Sequence, residues 1–389
     1  MKTTISINPL ILRWARETSN LSDKEAAHKL GINIEKFKLF ESGEEKPTYN
    51  QLENISTVFK RPVALFFFPA PPEEKEIKTS FRTYPIEDVI SLAPNIIFLI
   101  RQAQANILNL CEIFDGINPS KSKLDNLFSS FTIFDKNSAN IIRSYFNVSI
   151  STQKEWYRKY RSDSYEIALK LWRDAIEDFG IFIFKAPFKD DRISGFCVYD
   201  NEFPVIYINN QLSFSRQIFT LFHELYHILC KINSIDKYGE DYINNLVNDD
   251  KQIEIYCHNF AASFLVPEND LRRQLDFLTP SENNIIGLSY LYSVSREVIL
   301  RRLRTINLIE TDKYNELMKK WMTENYRKKS KSKGGDHINN MLSYLSKNYI
   351  IAVYKKYYSN RIDKFQLSNY IKIGTAYLSE FENKLRQML

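Results

Sequence analysis

The chain has 389 residues, 44% of them hydrophobic, which suffices for several domains, and its net charge of +6 is below that of an obligate nucleic-acid binder. Its four cysteines form no Cys-x-x-Cys pair, which argues against a disulfide framework, and its longest apolar runs are too short for a transmembrane helix. We therefore expect a cytoplasmic protein with reduced thiols and no membrane partner.

The first 72 residues predict a bundle of short helices. Ser22 or Asp23 and Asn33 are suitable N-caps, because their side-chain oxygens can accept hydrogen bonds from the free N–H groups of a first helical turn. Gly31 marks the turn between the second and third helices, and prolines up to residue 72 mark a domain boundary. The helices are expected over 8–18, 23–30, 34–41 and 49–60, with a short apolar helix after Pro62.

The residues around that turn resemble the Cro/C1-type (Xre) helix-turn-helix family. The matching segments are Ala26–Ile32, Phe37-x-x-Phe40-Glu41-Ser42-Gly43 and Lys46-Pro47-Thr48. The resemblance implies that the third helix enters the major groove of DNA, with Asn33, Lys36 and Lys38 as candidate contacts. That helix also carries Glu35 and Glu41 but no arginine, so a fold used for protein contact or dimerisation is the alternative.

The remaining chain predicts helices around one small sheet. Helical periodicity dominates residues 88–178, and apolar runs between turn residues then predict three strands, at 180–185, 195–199 and 204–208. Further helices are expected at 213–230, 250–265 and 282–304, followed by a basic, solvated linker at 319–333 and a helical tail over 337–389. The predicted fold class is therefore α+β and mostly helical, with a three-stranded sheet.

The sequence His223-Glu224-Leu225-Tyr226-His227 has the spacing HExxH. On a helix, residues four apart share a face, so the two imidazoles can bind one ion while Glu224 acts on water beside it. The surrounding helix is apolar on nearly all sides, and burying such polar groups without partners costs roughly 2–7 kcal/mol each. A bound cation offsets that cost. Because the motif also arises by chance, the prediction depends on a third ligand, since catalytic zinc takes three protein ligands and water.

Glu254, on the next predicted helix, is the candidate third ligand. It shares a helix face with Cys257, Ala261 and Leu265, and the small residues among these would let the two helices approach closely. Alternatively, Glu254 is not a ligand and, as a residue near the N-terminus of its helix, interacts with the helix dipole. Cys257 could approach the site, but we expect it to act as a small buried hydrophobic residue.

The segment around both helices resembles the IrrE/ImmA metallopeptidase family. The matching residues are Arg216, Phe219-Thr220-Leu221, His223-Glu224-x-x-His227, Glu254-x-x-Cys257-His258-x-Phe260-Ala261-Ala262 and Pro267. The resemblance implies a zincin-like domain in which His223, His227 and Glu254 bind Zn²⁺ and Glu224 is the catalytic base. This chain departs from the family at Tyr226, where a small residue is common, and at His258, where asparagine is usual.

Tyr226 and His258 are therefore candidates for supporting contacts to the metal ligands. For His258, a competing ligand and a packed polar residue remain as alternatives. The segment Gly195–Tyr199 is a candidate edge strand that would pair with an extended peptide substrate.

From these features we predict a zinc-dependent endopeptidase that cleaves a protein substrate. By resemblance, the substrate is a repressor or antitoxin-like regulator, encoded nearby, in stress or phage-related control. The alternative is a DNA-binding transcriptional regulator, or a toxin–antitoxin component, whose metallopeptidase-like domain is a sensor. Double-stranded DNA and a second copy of the chain are further expected partners. The predicted domains are a helix-turn-helix domain (1–72), a helical connecting region (73–164), the metallopeptidase domain (165–310) and a basic linker with C-terminal helices (311–389).

Overall fold

A computed structural model describes residues 4–72, 92–237, 248–275, 280–325 and 337–388. They fall into two compact units, Met1–Gln104 with Phe188–Asp190, and Ala105–Pro187 with Asp191–Leu389. Helices dominate, and a small mixed sheet lies in the second unit, which confirms the predicted fold class. Within the described ranges, no helix is both long and apolar enough to span a membrane.

The four-domain division stays a prediction. The beginning of the connecting region, residues 73–91, and most of the basic run, residues 326–333, lie outside the described residues.

Residues 4–72 contain four short helices and a 3-10 turn close to the predicted positions. Ser22 forms a capping box with Glu25 at the start of one helix, and the Asn33 side chain accepts from the backbone N–H of Glu35 at the start of the next. Gly31 has a left-handed backbone with φ of 67°, which glycine adopts without steric cost, so it ends the second helix. The helices are α1 (Pro9–Glu17), α2 (Asp23–Leu30), α3 (Ile34–Ser42) and α4 (Tyr49–Phe59), and the 3-10 turn is Val63–Phe67.

The other helices and the strands follow in chain order. They are α5 (Pro94–Ile113), α6 (Lys121–Ser130), α7 (Ser138–Tyr145), α8 (Ile150–Tyr160), α9 (Ser164–Glu177), β1 (Phe182–Ala186), β2 (Ile193–Val198), β3 (Val205–Asn209), α10 (Phe214–Leu229), β4 (Ser234–Lys237), α11 (Asn248–Leu265), α12 (Glu268–Leu275), α13 (Glu282–Tyr292) and α14 (Arg296–Thr305). The C-terminal part contains α15 (Thr311–Asn325), α16 (His337–Tyr344), α17 (Lys347–Tyr358), α18 (Lys364–Ile371) and α19 (Leu378–Met388).

The sheet has the strand order β1-β3-β2-β4. β1 and β3 are parallel, whereas β2 is antiparallel to both β3 and β4. The three predicted strands are present, and β4 is a fourth that the sequence analysis did not predict. As a result β2 lies inside the sheet, so the prediction that Gly195–Tyr199 forms an edge strand was wrong.

The two faces of the sheet carry different packing. On one face, the rings of Phe184, Phe196 and Tyr207 stack on one another. On the other face, aliphatic residues such as Ile206 and Ile208 join the apolar side chains of α10 in one hydrophobic core. This packing fixes α10, which carries the HExxH sequence, against the sheet.

Candidate metal centre

A glycine sets the separation between the sheet and α10. A Cβ atom added at Gly195 would lie 2.5 Å from Cγ2 of Thr220 and 2.8 Å from the backbone oxygen of Tyr207. It would also lie 3.7 Å from Cγ of Glu224. Only glycine therefore permits β2 to pass this close to the helix, which brings the strand next to the motif glutamate.

The predicted metal ligands meet in the core of the second unit. The Nε2 atoms of His223 and His227, one helical turn apart on α10, are 3.2 Å from each other. The carboxylate of Glu254, on α11, lies 3.3 Å from each of these nitrogens, one through each of its oxygens. His223 and His227 are buried, and 13% of the Glu254 side chain is exposed.

These distances suit a tetrahedral zinc ion. Ligand atoms about 2.0–2.1 Å from tetrahedral Zn²⁺ stand roughly 3.4 Å apart, close to the 3.2 Å between the two imidazole nitrogens and the 3.3 Å from each nitrogen to its nearer carboxylate oxygen. The donor set, two imidazoles and a carboxylate, is also one found in catalytic zinc sites. The residues present therefore fit a zinc ion.

The electrostatics of the cluster favour positive charge on it. Burial opposes ionisation of His223, but the carboxylates of Asp236 and Glu254 raise the pKa of its imidazole to about 10. Burial likewise opposes ionisation of Glu254, yet His227 and His223 hold the pKa of its carboxyl well below its usual range. The site thus accommodates positive charge, as a proton or as a metal cation, in an otherwise apolar core.

Glu224 lies beside His223 and contacts β4. Its Oε2 accepts a hydrogen bond from the Ser234 hydroxyl, while its buried Oε1 has no hydrogen-bond partner among the described residues. Burial raises the pKa of Glu224 above its usual range, against the lowering effect of the two histidines. Glu224 therefore has one oxygen held in place and the other available to accept a proton.

The unpredicted strand β4 supplies two residues to this region. Ser234 pairs with Cys197 and Asp236 with Gly195 in the register between β4 and β2. The Asp236 carboxylate accepts from the Thr220 hydroxyl at 3.2 Å and stands near His223 and Glu224. Thr220 therefore holds the Asp236 carboxylate in place and contacts the site through it. The sequence gives no strand signal there, because Ser-Ile-Asp-Lys is short and three of its four residues are polar.

Arg216, two turns before the motif, bonds to Ser194 on β2, with Nη2 2.7 Å from the serine hydroxyl. Like Thr220, it links α10 to the sheet.

The two residues predicted to support the ligands lie in different places. The His258 ring is 4.9 Å from the His223 ring and 5.5 Å from that of Phe219, and burial together with the charge of His223 lowers its pKa to about 4. Tyr226 instead packs edge-on against Phe131, and its hydroxyl accepts from the backbone N–H of Phe134. His258 therefore adjoins a ligand, whereas the observed contacts of Tyr226 hold α10 to the segment before α7.

Cys257 lies closer to the site than its predicted packing role implies. It is fully buried, and its Sγ is 3.3 Å from Nε2 and 3.8 Å from Nδ1 of His227. The sequence signal was present, since Cys257 is three residues after Glu254 and so lies on the same helix face.

The candidate DNA contacts lie on the surface of the first unit and already have partners. The Asn33 side chain caps α3, Lys36 pairs with Glu45 at 3.2 Å, and Lys38 pairs with Glu35 at 3.6 Å. Both lysine pairs are exposed, so each ion pair contributes little to stability, and each lysine can exchange its glutamate partner for a phosphate. Their role in DNA binding stays a prediction.

One segment of the chain, which contains this site, matches a known protein family. Residues 176–304 match the family model of the IrrE N-terminal-like domain, Peptidase_M78. That segment contains His223, Glu224, His227 and Glu254, so it supports the metallopeptidase-like domain that the sequence predicted. The match does not extend to the N-terminal helices, whose family stays a prediction.

Two other comparisons add little. No curated protein matches the chain. Among solved structures, a Mycobacterium tuberculosis transcriptional regulator matches with 18% identity and a TM-score of 0.25, over 48% of this chain and 51% of that one. The chain thus spans about half the length of that regulator, and the likeness is too weak to carry an inference.

Proposed function

We propose that this chain is a zinc-dependent endopeptidase that cleaves a protein substrate. The proposal is carried by one observation: two imidazole nitrogens and a carboxylate meet at 3.2–3.3 Å in a buried site, beside a glutamate with one free oxygen. The substrate class, a repressor or antitoxin-like regulator in stress or phage-related control, comes from the family resemblance and is part of the proposal.

Each residue has a distinct part in hydrolysis. His223, His227 and Glu254 hold the cation, and bound Zn²⁺ polarises a carbonyl and lowers the pKa of water. Glu224 accepts the proton of the attacking water and delivers it to the leaving amine. The raised pKa of its buried carboxyl suits both tasks, because a base whose pKa lies nearer neutrality can also act as the acid. Ser234 keeps the carboxylate oriented through Oε2.

Two variants separate the metal from the chemistry. We expect about one zinc per purified wild-type chain, the same in Glu224→Gln, and none in His223→Ala. New protein N-termini that appear in cells producing the wild type, and not in cells producing Glu224→Gln, identify the substrate. Zinc retained by His223→Ala would refute the site, and an unchanged set of N-termini in the two cell populations would refute proteolysis.

A second candidate function is DNA binding by the first unit. It is favoured by the geometry of α2, the left-handed Gly31 and α3, two helices joined by the short turn typical of a helix-turn-helix. In that case the metallopeptidase-like domain would act as a sensor or partner-binding module. Affinity for duplex DNA that falls steeply with salt, and falls further in Lys36→Glu, is the expected result. Binding that is absent, or unaffected by salt, would refute this function.

A further inference from the structure

Cys257 adds a fourth donor atom to the three predicted metal ligands. Its Sγ lies 3.3 Å from Nε2 of His227, as near as the carboxylate of Glu254 is to the same atom. One donor atom from each of His223, His227, Glu254 and Cys257 lies within 4.8 Å of the other three. The thiol is fully buried, so the sulfur atom, rather than solvent, lies beside the predicted ligands.

We propose that Cys257 binds the metal as a fourth protein ligand and closes the site in the resting protein. The inference rests on the proposed zinc centre and adds a regulatory state to it. On metal binding the thiol releases its proton and the thiolate forms a bond to the metal, a step that requires no oxidant or reductant.

The distances allow this bond with a small movement. Sulfur about 2.3 Å and nitrogen about 2.0–2.1 Å from one tetrahedral zinc ion stand roughly 3.5 Å apart, near the observed Sγ–Nε2 separation. Closing the remaining separations, at most 4.8 Å, needs a shift of roughly 1 Å. Zinc accepts thiolate readily, and mixed nitrogen, oxygen and sulfur donor sets are within its range.

The other buried cysteine beside the site is placed differently. Cys197, on β2, has its Sγ 3.3 Å from the Ser234 hydroxyl and 3.6 Å from the backbone oxygen of Ile232. Ser234 begins β4 and Ile232 lies two residues before it, and Cys197 is absent from the four-donor group. Cys257 is thus the cysteine whose contacts are with a predicted ligand.

A fourth protein ligand has a direct consequence for activity. Structural zinc sites have four protein ligands, whereas catalytic sites keep one position open for water or substrate. With Cys257 bound, that position is filled, and the substrate carbonyl or water must displace the sulfur before hydrolysis. Cys257 therefore acts as a latch, and its removal should raise basal cleavage while it weakens metal binding.

Cobalt substitution tests this coordination without an activity assay. Purified full-length chains of wild type, Cys257→Ala, Cys257→Ser and the control Cys230→Ala, whose residue ends α10 outside the four-donor group, are titrated with Co²⁺. We expect a thiolate-to-cobalt charge-transfer band in wild type and Cys230→Ala, and none in either Cys257 variant. Loss of the ligand should weaken Zn²⁺ binding at least about tenfold, since even residues that only support ligands cost that much. Circular dichroism of the serine and alanine variants checks their folding.

The outcomes distinguish the latch from the metal centre. If wild-type protein binds one Co²⁺ with a tetrahedral spectrum but no thiolate band, Cys257 is not a ligand and the proposed zinc centre stands. A thiolate band that persists in Cys257→Ala also overturns the inference. If wild type binds no Co²⁺ or Zn²⁺, the zinc centre and the latch fail together.

Discussion

Replacing Gly195 with alanine tests the close approach of β2 to α10. The new Cβ would meet Cγ2 of Thr220 at 2.5 Å and the backbone oxygen of Tyr207 at 2.8 Å, whereas non-bonded carbon atoms prefer about 3.5–4.0 Å. The methyl of Thr220 must move by roughly 1 Å, and the Tyr207 oxygen belongs to the neighbouring strand and cannot rotate away. The variant must therefore separate α10 from the sheet.

The expected cost follows from these contacts. Overpacking a core by one methyl group costs about 1–3 kcal/mol, and the lower entropy of the unfolded alanine chain returns about 0.4–1 kcal/mol. A net loss of about 1–2 kcal/mol in the free energy of unfolding lowers the melting temperature of a unit of this size by roughly 2–6 °C. Because Glu224 lies 3.7 Å from the new atom, cleavage should fall as well.

Gly287→Ala is the matched control for this substitution. Gly287 lies within α13 and is exposed, and a Cβ there meets nothing within 4 Å. The same chemical change should raise stability by about 0.5–1 kcal/mol, because glycine is unfavourable inside a helix. Thermal unfolding followed by circular dichroism compares both variants with wild type. If Gly195→Ala is as stable as wild type and equally active, the close approach does not position the site.

Three further substitutions test charges and hydrogen bonds of the second unit. Burial raises the pKa of Glu177 from 4.5 to about 7. The stability that the protonated carboxyl contributes is therefore full below pH 4.5 and is lost as the pH rises through 7. In Glu177→Gln, the free energy of unfolding measured in urea should depend less on pH over that window. Ser234→Ala removes the hydroxyl that donates to Glu224. Steady-state kinetics should show a roughly 10–100-fold lower kcat with unchanged zinc content. An unchanged kcat would mean that Glu224 does not need this hydrogen bond. The buried ammonium of Lys154 lies 3.0 Å from both carboxylate oxygens of Asp270, and Asp270→Ala leaves it without this partner. Denaturant unfolding should show that the free energy of unfolding falls by about 3–5 kcal/mol. A fall below about 1 kcal/mol would contradict the pairing.

Local signals in the sequence account for what was predicted correctly. Helix starts at Ser22 and Asn33 were predictable because capping depends on side chains within three residues of the cap. The HExxH helix was predictable because a 3.6-residue period decides which residues share a face. The pairing of Glu254 with His223 joins residues far apart in sequence. The helix-face pattern made Glu254 a candidate, and the family resemblance decided between metal binding and an interaction with the helix dipole.

What was missed depends on contacts between distant segments. Strand β4 exists because Ser234 and Asp236 pair with β2, and four residues of which three are polar carry too little strand propensity to predict it alone. The mistaken edge position of Gly195–Tyr199 has the same cause, since an edge is defined by which strands pair. Packing was the preferred role for Cys257, over an approach to the site, because a free cysteine is usually buried and inert, and only the fold places its sulfur beside His227.

The burial of the ligand cluster has a kinetic consequence. His223 is fully buried and His227 is 1% exposed, whereas 13% of the Glu254 side chain is exposed, so among the described residues an ion held by all three would have little contact with solvent. We expect exchange to be limited by local opening around α10 and α11, whose frequency is set by the stability of that helix pair. At high chelator concentration, the rate of metal removal should therefore reach a plateau equal to the opening rate. The protein would keep the ion it acquired while folding through brief changes in the supply of free metal.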